Sequence, residues 1–293
     1  MSQRNILNRY LFDNAHARGE LVQLSSSYQD IIKNHHYPKV VEKVLGELLA
    51  ATCLLTATLK FEGEITVQLQ GNGPISYMSV NGDNNQQMRG IAKINDTILA
   101  NEAVTLKALM GKGTMIITIR PNQGEPYQGI VALDGETLAD CMSHYFDVSA
   151  QIPTKVWLFH DHQQQQVAGT LIQLLPDGDG GQSNQEKQQD DFQHLCQLTN
   201  TVKAEEIFTL EAEALLYRLY HNEQVKLFEP QPVTYLCGCS ADKCLSAIAQ
   251  IEPSEIRSIL VEQGKISMTC EYCITTYDFD ELSLKSFVSK VNH

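Results

Sequence analysis

Apolar positions along the chain follow first a helical period and then a strand period. Between Lys39 and Leu59, Val40, Val44, Leu48, Ala51 and Leu55 recur every three or four residues, which predicts a helix with a buried face. Upstream, Tyr10–Leu24 holds extended pieces around Asn14–Gly19. From Phe61 the period shortens to two. Ile65, Val67 and Leu69 alternate with polar residues, Gly71-Asn72-Gly73-Pro74 turns the chain, Ile75–Val80 runs back, and Asn81-Gly82 is a hairpin signal. Met88–Ile94, Thr114–Arg120 and Gln128–Leu133 continue the sheet. Leu138–Phe146 reads as a short helix with Thr137 at its N-cap, and Val156–Phe159 with Val167–Leu175 form a last strand pair. A mixed sheet of this size needs helices to cover it. Residues 1–178 therefore read as an α/β sheet domain within an α+β chain.

The pattern changes at Pro176-Asp-Gly-Asp-Gly-Gly181, a boundary by composition. Ser183 and Glu186 have capping-box spacing ahead of Phe192, Leu195, Cys196 and Thr199. Ile207, Leu210, Ala214, Leu215 and Leu219 mark a second amphipathic helix after Glu205-Glu206. Both helices read as short and acidic, and helices of that kind are marginal alone, so residues 179–231 are expected to be a metastable linker that holds its shape only while docked. Residues 232–293 are near the size at which a core alone gives little stability. Within them Leu245 and Ile248 suggest one helix, and Pro253 to Gly264 frame another that carries Ile256, Ile259 and Leu260. Ile266–Met268 and the residues after Cys273 favour strands, and a terminal helix carries Leu284, Phe287, Val288 and Val291.

Charge narrows the function classes. The 293 residues carry a formal net charge of −13. Lys plus Arg against Asp plus Glu stands at 13 to 16 in residues 1–175, 4 to 11 in 176–231 and 5 to 8 in 232–293. No segment is basic, which argues against nucleic acid as a partner. No apolar run reaches the length of a membrane span, and a start containing Arg4, Asn5, Asn8 and Arg9 is unlike a signal peptide, so the expected location is cytoplasmic.

In that reducing compartment, eight cysteines point to metal or redox chemistry and away from a structural disulfide framework. Four of them form two tight pairs, Cys237-Gly238-Cys239 and Cys270-Glu271-Tyr272-Cys273, with residues 240–269 between. Two sulfurs from each short knuckle and an intervening loop long enough to fold make the spacing of a tetrahedral Cys₄ zinc site, one ion per chain. A disulfide between residues two apart needs a sharp backbone bend and is readily reduced, so the first pair can hold metal or act as a switch. Cys53 and Cys141 lie in helical patterns and read as core, as does Cys196; Cys244 is an additional thiol near the first pair. His160-Asp161-His162 puts two imidazoles on one strand face beside Gln163–Gln166 and reads as a solvated hairpin end without a third ligand. The glycines at Gly71, Gly73, Gly111 and Gly113 belong to turns, since neither cluster has phosphate-loop spacing.

The cysteine arrangement resembles the heat shock protein 33 family, the redox-regulated 33 kDa chaperonins. The likeness also runs through Gly71-Asn-Gly-Pro74, Gly111-Lys-Gly-Thr-Met-Ile-Ile-Thr-Ile-Arg-Pro121, Tyr127-Gln-Gly-Ile-Val-Ala-Leu133, Thr137-Leu-Ala-Asp-Cys-Met-Ser-His-Tyr-Phe146 and Cys270–Phe279, spread over most of residues 60–279. It implies a chaperone, not an enzyme. The expected activity is an ATP-independent holdase, inactive when reduced and zinc-bound, that protects unfolding client proteins during oxidative and heat stress. No Gly-x-x-x-x-Gly-Lys-Ser/Thr loop is present, in keeping with passive binding. Oxidation is expected to give the local disulfides Cys237–Cys239 and Cys270–Cys273, each thiolate finding its nearest thiol in its own knuckle, with release of zinc and unfolding of the switch and linker. The sequence leaves the oligomeric state open, and the resemblance admits a homodimer on oxidative activation. A zinc-ribbon interaction module without a redox role and a thiol-disulfide oxidoreductase are the competing readings.

Overall fold

Residues 4–59, 62–95, 105–175 and 182–288 are described in the computed structural model of the chain, which divides into two units, Met1–Tyr235 and Leu236–His293. The first unit opens with the antiparallel pair β1 (Asn5–Phe12) and β2 (Ala17–Leu24), passes a short helix α1 (Ser26–Ile32), and enters α2 (Lys39–Thr58). Fourteen of the twenty residues of α2 are buried, more than the single stripe its sequence suggests, so it needs apolar neighbours on several sides. Thr52 and Thr56, which interrupt its apolar run, return their hydroxyls to Leu48 O and Thr52 O at 2.7 Å, which makes their burial tolerable.

The chain continues through β3 (Gly63–Gln70), β4 (Ile75–Asp83), β5 (Gln87–Ile94), α3 (Leu106–Met110), β6 (Thr114–Pro121), β7 (Tyr127–Ala132) and α4 (Leu138–Tyr145), followed by a π-helical turn over Phe146–Ala150. Thr137 caps α4 in a capping box with Asp140. After β8 (Thr154–Asp161) and β9 (Gln166–Leu174) come α5 (Gln182–Thr199), α6 (Ala204–Thr209) and α7 (Ala212–Tyr220). Three short strands, β10 (Val225–Leu227), β11 (Gln231–Pro232) and β12 (Thr234–Tyr235), end the unit. The strands make two sheets, ordered β10-β1-β2-β9-β8, with β11 also on β1, and β12-β5-β4-β3-β6-β7. All pairs are antiparallel except β12 with β5, so the second sheet is mixed. Residues of α2 join both sheets in one core through Leu45, Leu48, Leu49, Val67, Met78 and Leu171. On its other face the first sheet meets α5, α6 and α7, where Tyr10, Phe12, Leu21 and Ile172 pack with Phe192, Leu195, Ile207, Leu215 and Tyr220.

Several local expectations change in the folded chain. Asn81-Gly82 lies inside β4, and the hairpin turns at 84–86, where Asp83 Oδ1 accepts from the backbone N–H of Asn85 and Gln87 at 2.9 Å and Gln86 is left-handed. Gly82 serves packing: a Cβ there would lie 2.2 Å from the Met88 sulfur. Asn14 to His16 form a turn, with strand on either side. The second linker helix is broken in two at Leu210 and Glu211, and α5 runs for 18 residues, longer than expected. Ser183 falls inside α5, beyond a cap position. Among the described residues no helix is long and apolar enough to cross a membrane.

One buried carboxyl yields a pH prediction. Glu20 of β2 is 1% exposed, and among the described residues its Oε2 has no hydrogen-bond partner. Burial raises its carboxyl to about 8, with Arg18 and Arg9 pulling the other way. In the unfolded chain the group ionises near 4.5, so between 4.5 and 8 the folded state keeps a proton that the unfolded state has lost, and stability falls as pH rises through that window. The slope is on the order of 1.4 kcal/mol per pH unit. Thermal midpoints measured from pH 5 to 8 are expected to fall more steeply for the parent than for Glu20→Gln. Parallel curves would show that this carboxyl is not linked to folding.

In the second unit α8 (Ala241–Ile248) and α9 (Pro253–Gln263) precede a hairpin of β13 (Lys265–Thr269) and β14 (Thr276–Asp280), and α10 (Glu281–Val288) follows. Proline opens α9, and Gly264 at φ 74° ends it. Ile248, Ile256, Ile266, Phe279 and Leu284 form the buried core. The side chains of Phe287 and Val288, and all of Val291, lie outside the described residues.

Candidate metal centre

Two backbone turns bring the four paired cysteines together within the second unit. Gly238, between Cys237 and Cys239, has φ 66°, a conformation that side chains other than glycine rarely adopt. Lys243 Nζ donates to its carbonyl at 2.6 Å, and Ser240 caps α8 by accepting from the Lys243 N–H, which anchors this knuckle to the helix that follows. The second pair occupies the loop of the β13–β14 hairpin. There Cys270 N–H donates to Thr275 O at 2.9 Å, and Ile274, left-handed at φ 60°, donates to Cys270 O at 2.8 Å. Cys270 and Cys273 thus sit on a tight strand-to-strand turn, whereas a thioredoxin-type pair opens a helix.

The Sγ atoms of Cys237, Cys239, Cys270 and Cys273 all lie within 4.8 Å of one another, and this is the group of potential metal ligands found among the described residues. Cys237 Sγ is 3.5 Å from Cys270 Sγ, and Cys239 Sγ is 3.5 Å from Cys273 Sγ. A tetrahedron of thiolates about 2.3 Å from a central ion has edges of about 3.8 Å. The donor set and its spacing therefore fit a tetrahedral ion. Contacts across the knuckles are close, so distance in the folded cluster does not by itself select a partner in the same knuckle.

Burial pushes the Cys237 thiol up to about 12 against the opposing backbone hydrogen bond from Cys239, with side-chain hydrogen bonds to Cys270, Cys273 and Cys239 adding to the rise. At Cys273 burial also pushes upward, but hydrogen bonds from the Thr275 hydroxyl and backbone, and from Cys239 and Cys237, outweigh it and hold the thiol down to about 6. Four sulfurs this close resist ionising together unless a cation lies among them. Two neighbours escaped the sequence reading: Tyr277 Oη is 3.1 Å from Cys239 Sγ, and Thr275 Oγ1 is 3.2 Å from Cys273 Sγ. The available signal was the two-residue period after Cys273, which sets Thr275 and Tyr277 on a common side of the chain.

The other thiols stand apart. Cys53 and Cys141 are buried, and burial pushes both thiols up; Cys196 is half-buried and pushed up to about 11 for the same reason. Cys244 packs against the small core beside Leu245. The histidines of the β8 end are less solvated than expected. His160 Nε2 is 3.0 Å from the Tyr28 hydroxyl, and burial holds its imidazole down at about 4. His162 Nδ1 faces Glu42 Oε2 at 3.4 Å.

The family model for the Hsp33 protein matches residues 5–280. A 33 kDa chaperonin of Colwellia psychrerythraea is 76% identical over 293 residues, covering 100% of both chains. One of Shewanella oneidensis is 54% identical over 283 residues, covering 97% of this chain and 95% of that protein. Among solved structures, the crystal structure of a 33 kDa chaperonin, a heat shock protein 33 homolog, from Thermotoga maritima matches with a TM-score of 0.82 over 97% of this chain and 98% of that one. At 21% identity this is a likeness of fold.

Proposed function

Because the chain belongs to the Hsp33 family, we propose that it is a redox-regulated, ATP-independent holdase chaperone acting in the cytoplasm under oxidative and heat stress, closed when reduced and opened by oxidation of its cysteine centre. The observation that carries the redox part is the cluster of four sulfurs within 4.8 Å in a unit with a very small apolar core. Zinc, when bound by Cys237, Cys239, Cys270 and Cys273, would hold these sulfurs as thiolates and cross-link the two knuckles.

The chemistry that opens the centre belongs to the cysteines. One thiolate of a knuckle attacks the O–O bond of peroxide, becoming a sulfenic acid and releasing hydroxide. The second thiolate attacks that sulfenic sulfur, forming the S–S bond and expelling a second hydroxide, so each disulfide passes two electrons to one peroxide. The chain tether favours Cys237–Cys239 and Cys270–Cys273 once the cluster loosens, because one or two intervening residues keep each pair together while the 240–269 loop lets the knuckles separate. Sulfurs spent in these bonds no longer serve as metal ligands. Loss of the cross-link frees the second unit, and the linker of residues 179–231 then undocks to offer apolar surface to unfolding clients.

The test is a titration with peroxide in which zinc release, disulfide mapping and suppression of client aggregation are read on the same sample. Reduced protein is expected to hold one zinc per chain, unaltered by Cys244→Ser, and to leave aggregation unchecked. Oxidised protein should show the two local disulfides and suppress aggregation. Suppression indifferent to oxidant would favour a zinc-ribbon interaction module, and turnover of a dithiol substrate an oxidoreductase. Zinc lost on replacing Cys244, or disulfides mainly between knuckles or to Cys244, would overturn the site assignment.

A further inference from the structure

The strongest unassigned feature lies where the first sheet meets the broken linker helix. Helix α6 ends at Thr209, and Leu210 is extended at φ −82° and ψ 143°, so main-chain carbonyls at this end lose the amides that a continuing helix would supply. Two side chains from the sheet side take their place. Gln23 Nε2 on β2 donates to Ile207 O at 2.6 Å and Leu210 O at 3.0 Å. Arg4, just before β1, donates through Nη1 to Leu210 O at 2.5 Å and through Nη2 to Thr209 O at 3.0 Å and Glu211 Oε1 at 2.6 Å. Gln23 is 5% exposed on a face it shares with Ala17 and Leu21, where an amide is costly unless partnered. Ile207 and Ala212 flank the held carbonyls and are buried in the same apolar cluster.

We infer that Arg4 and Gln23 form a carbonyl clamp that recognises the main chain of non-native polypeptide. The α6–α7 turn occupies it in the closed protein, and a client segment takes that place after the linker leaves. The inference rests on the proposed chaperone function and names the chemistry its substrates present. The occupant seen in the structure defines the partner: a stretch with unpaired carbonyls at three of four successive residues, flanked by aliphatic side chains. Native proteins pair nearly all buried backbone carbonyls, whereas unfolding chains expose them in every sequence. Donors that read carbonyls beside an apolar surface therefore select for the unfolded state through its main chain, and the Arg4–Glu211 pair adds a single side-chain contact to them.

The donors can be removed without removing apolar area. Arg4→Met and the double variant with Gln23→Met keep long side chains and add apolar surface, so purely apolar recognition predicts equal or tighter binding. The clamp predicts the opposite. Oxidised full-length protein is mixed with a carboxymethylated, permanently unfolded polypeptide, and affinity is read by fluorescence anisotropy alongside binding of an apolar dye. Loss of two or more hydrogen bonds is expected to weaken the double variant by about ten-fold or more, with dye binding unchanged or increased and a smaller loss for Arg4→Met. A synthetic peptide of residues 203–216 should displace the unfolded polypeptide from the parent and compete weakly on the double variant. Unchanged affinity in both variants overturns the clamp alone. An oxidised parent that binds no unfolded polypeptide overturns the chaperone reading and the clamp with it.

Discussion

Cys270→Ser, or treatment of the reduced protein with a strong chelator, is expected to unfold residues 236–288 while the sheet unit stays folded. The second unit buries Ile248, Ile256, Ile266, Phe279 and Leu284 as its core, little for a segment of its size. Structural zinc contributes on the order of 10 to 16 kcal/mol of binding free energy that doubles as folding free energy, against about 5 to 15 kcal/mol for the stability of a whole domain. The proposed local disulfides would not compensate. Each closes a loop of three or four residues, worth roughly 1.5 to 2 kcal/mol by chain entropy, and neither joins the two knuckles. Hydrogen exchange separates the outcomes. Amides of β13, β14 and α9 should lose protection in the serine variant and in the chelated protein, and those of α2 should keep it. Protection retained in β13 and β14 without metal would show that the apolar core suffices.

Leu215→Ala is expected to undock the linker helices in the reduced protein and to switch on client protection without oxidant. Leu215 is 1% exposed and sits among Phe192, Leu195, Ile207 and Leu219 against the first sheet. Truncating a buried leucine costs about 2 to 5 kcal/mol, which shifts a local docking equilibrium by roughly 30-fold to several thousand-fold. Because the cost falls on the layer and not on the α2 core, the effect should appear as local opening ahead of global unfolding. Exchange across residues 204–220 should accelerate with zinc content still at one per chain, and aggregation of a heat-unfolding client should be suppressed under reducing conditions. An undocked, reduced and inactive variant would show that the linker is not the gate.

Local information sufficed where one interaction dominates. Two cysteines in each short knuckle already mark which four sulfurs gather, and the left-handed Gly238 only completes the turn. The helical period of Lys39–Thr58, the Thr137 cap, the Pro253 and Gly264 ends of α9 and the alternation of β3 were likewise readable, because each is settled by neighbours within a few residues. Tertiary packing decided the rest. The strand β2, with Arg18, Glu20 and Gln23 in a sheet buried on both faces, has no readable alternation; Arg18 and Gln23 are tolerated through partners far along the chain, Thr58 O for Arg18 and Ile207 O for Gln23, and Glu20 by keeping its proton. Asn81-Gly82 looked like a turn, yet the close approach of Met88 placed Gly82 in a strand. The break at Leu210 is invisible in an amphipathic pattern that runs on through Leu219, because the donors that stabilise it, Arg4 and Gln23, come from the opposite end of the chain. Spacing determined which cysteines gather, and the folded hairpin determined that Tyr277 and Thr275 stand beside them, since a cross-strand register becomes definite only once the strands pair.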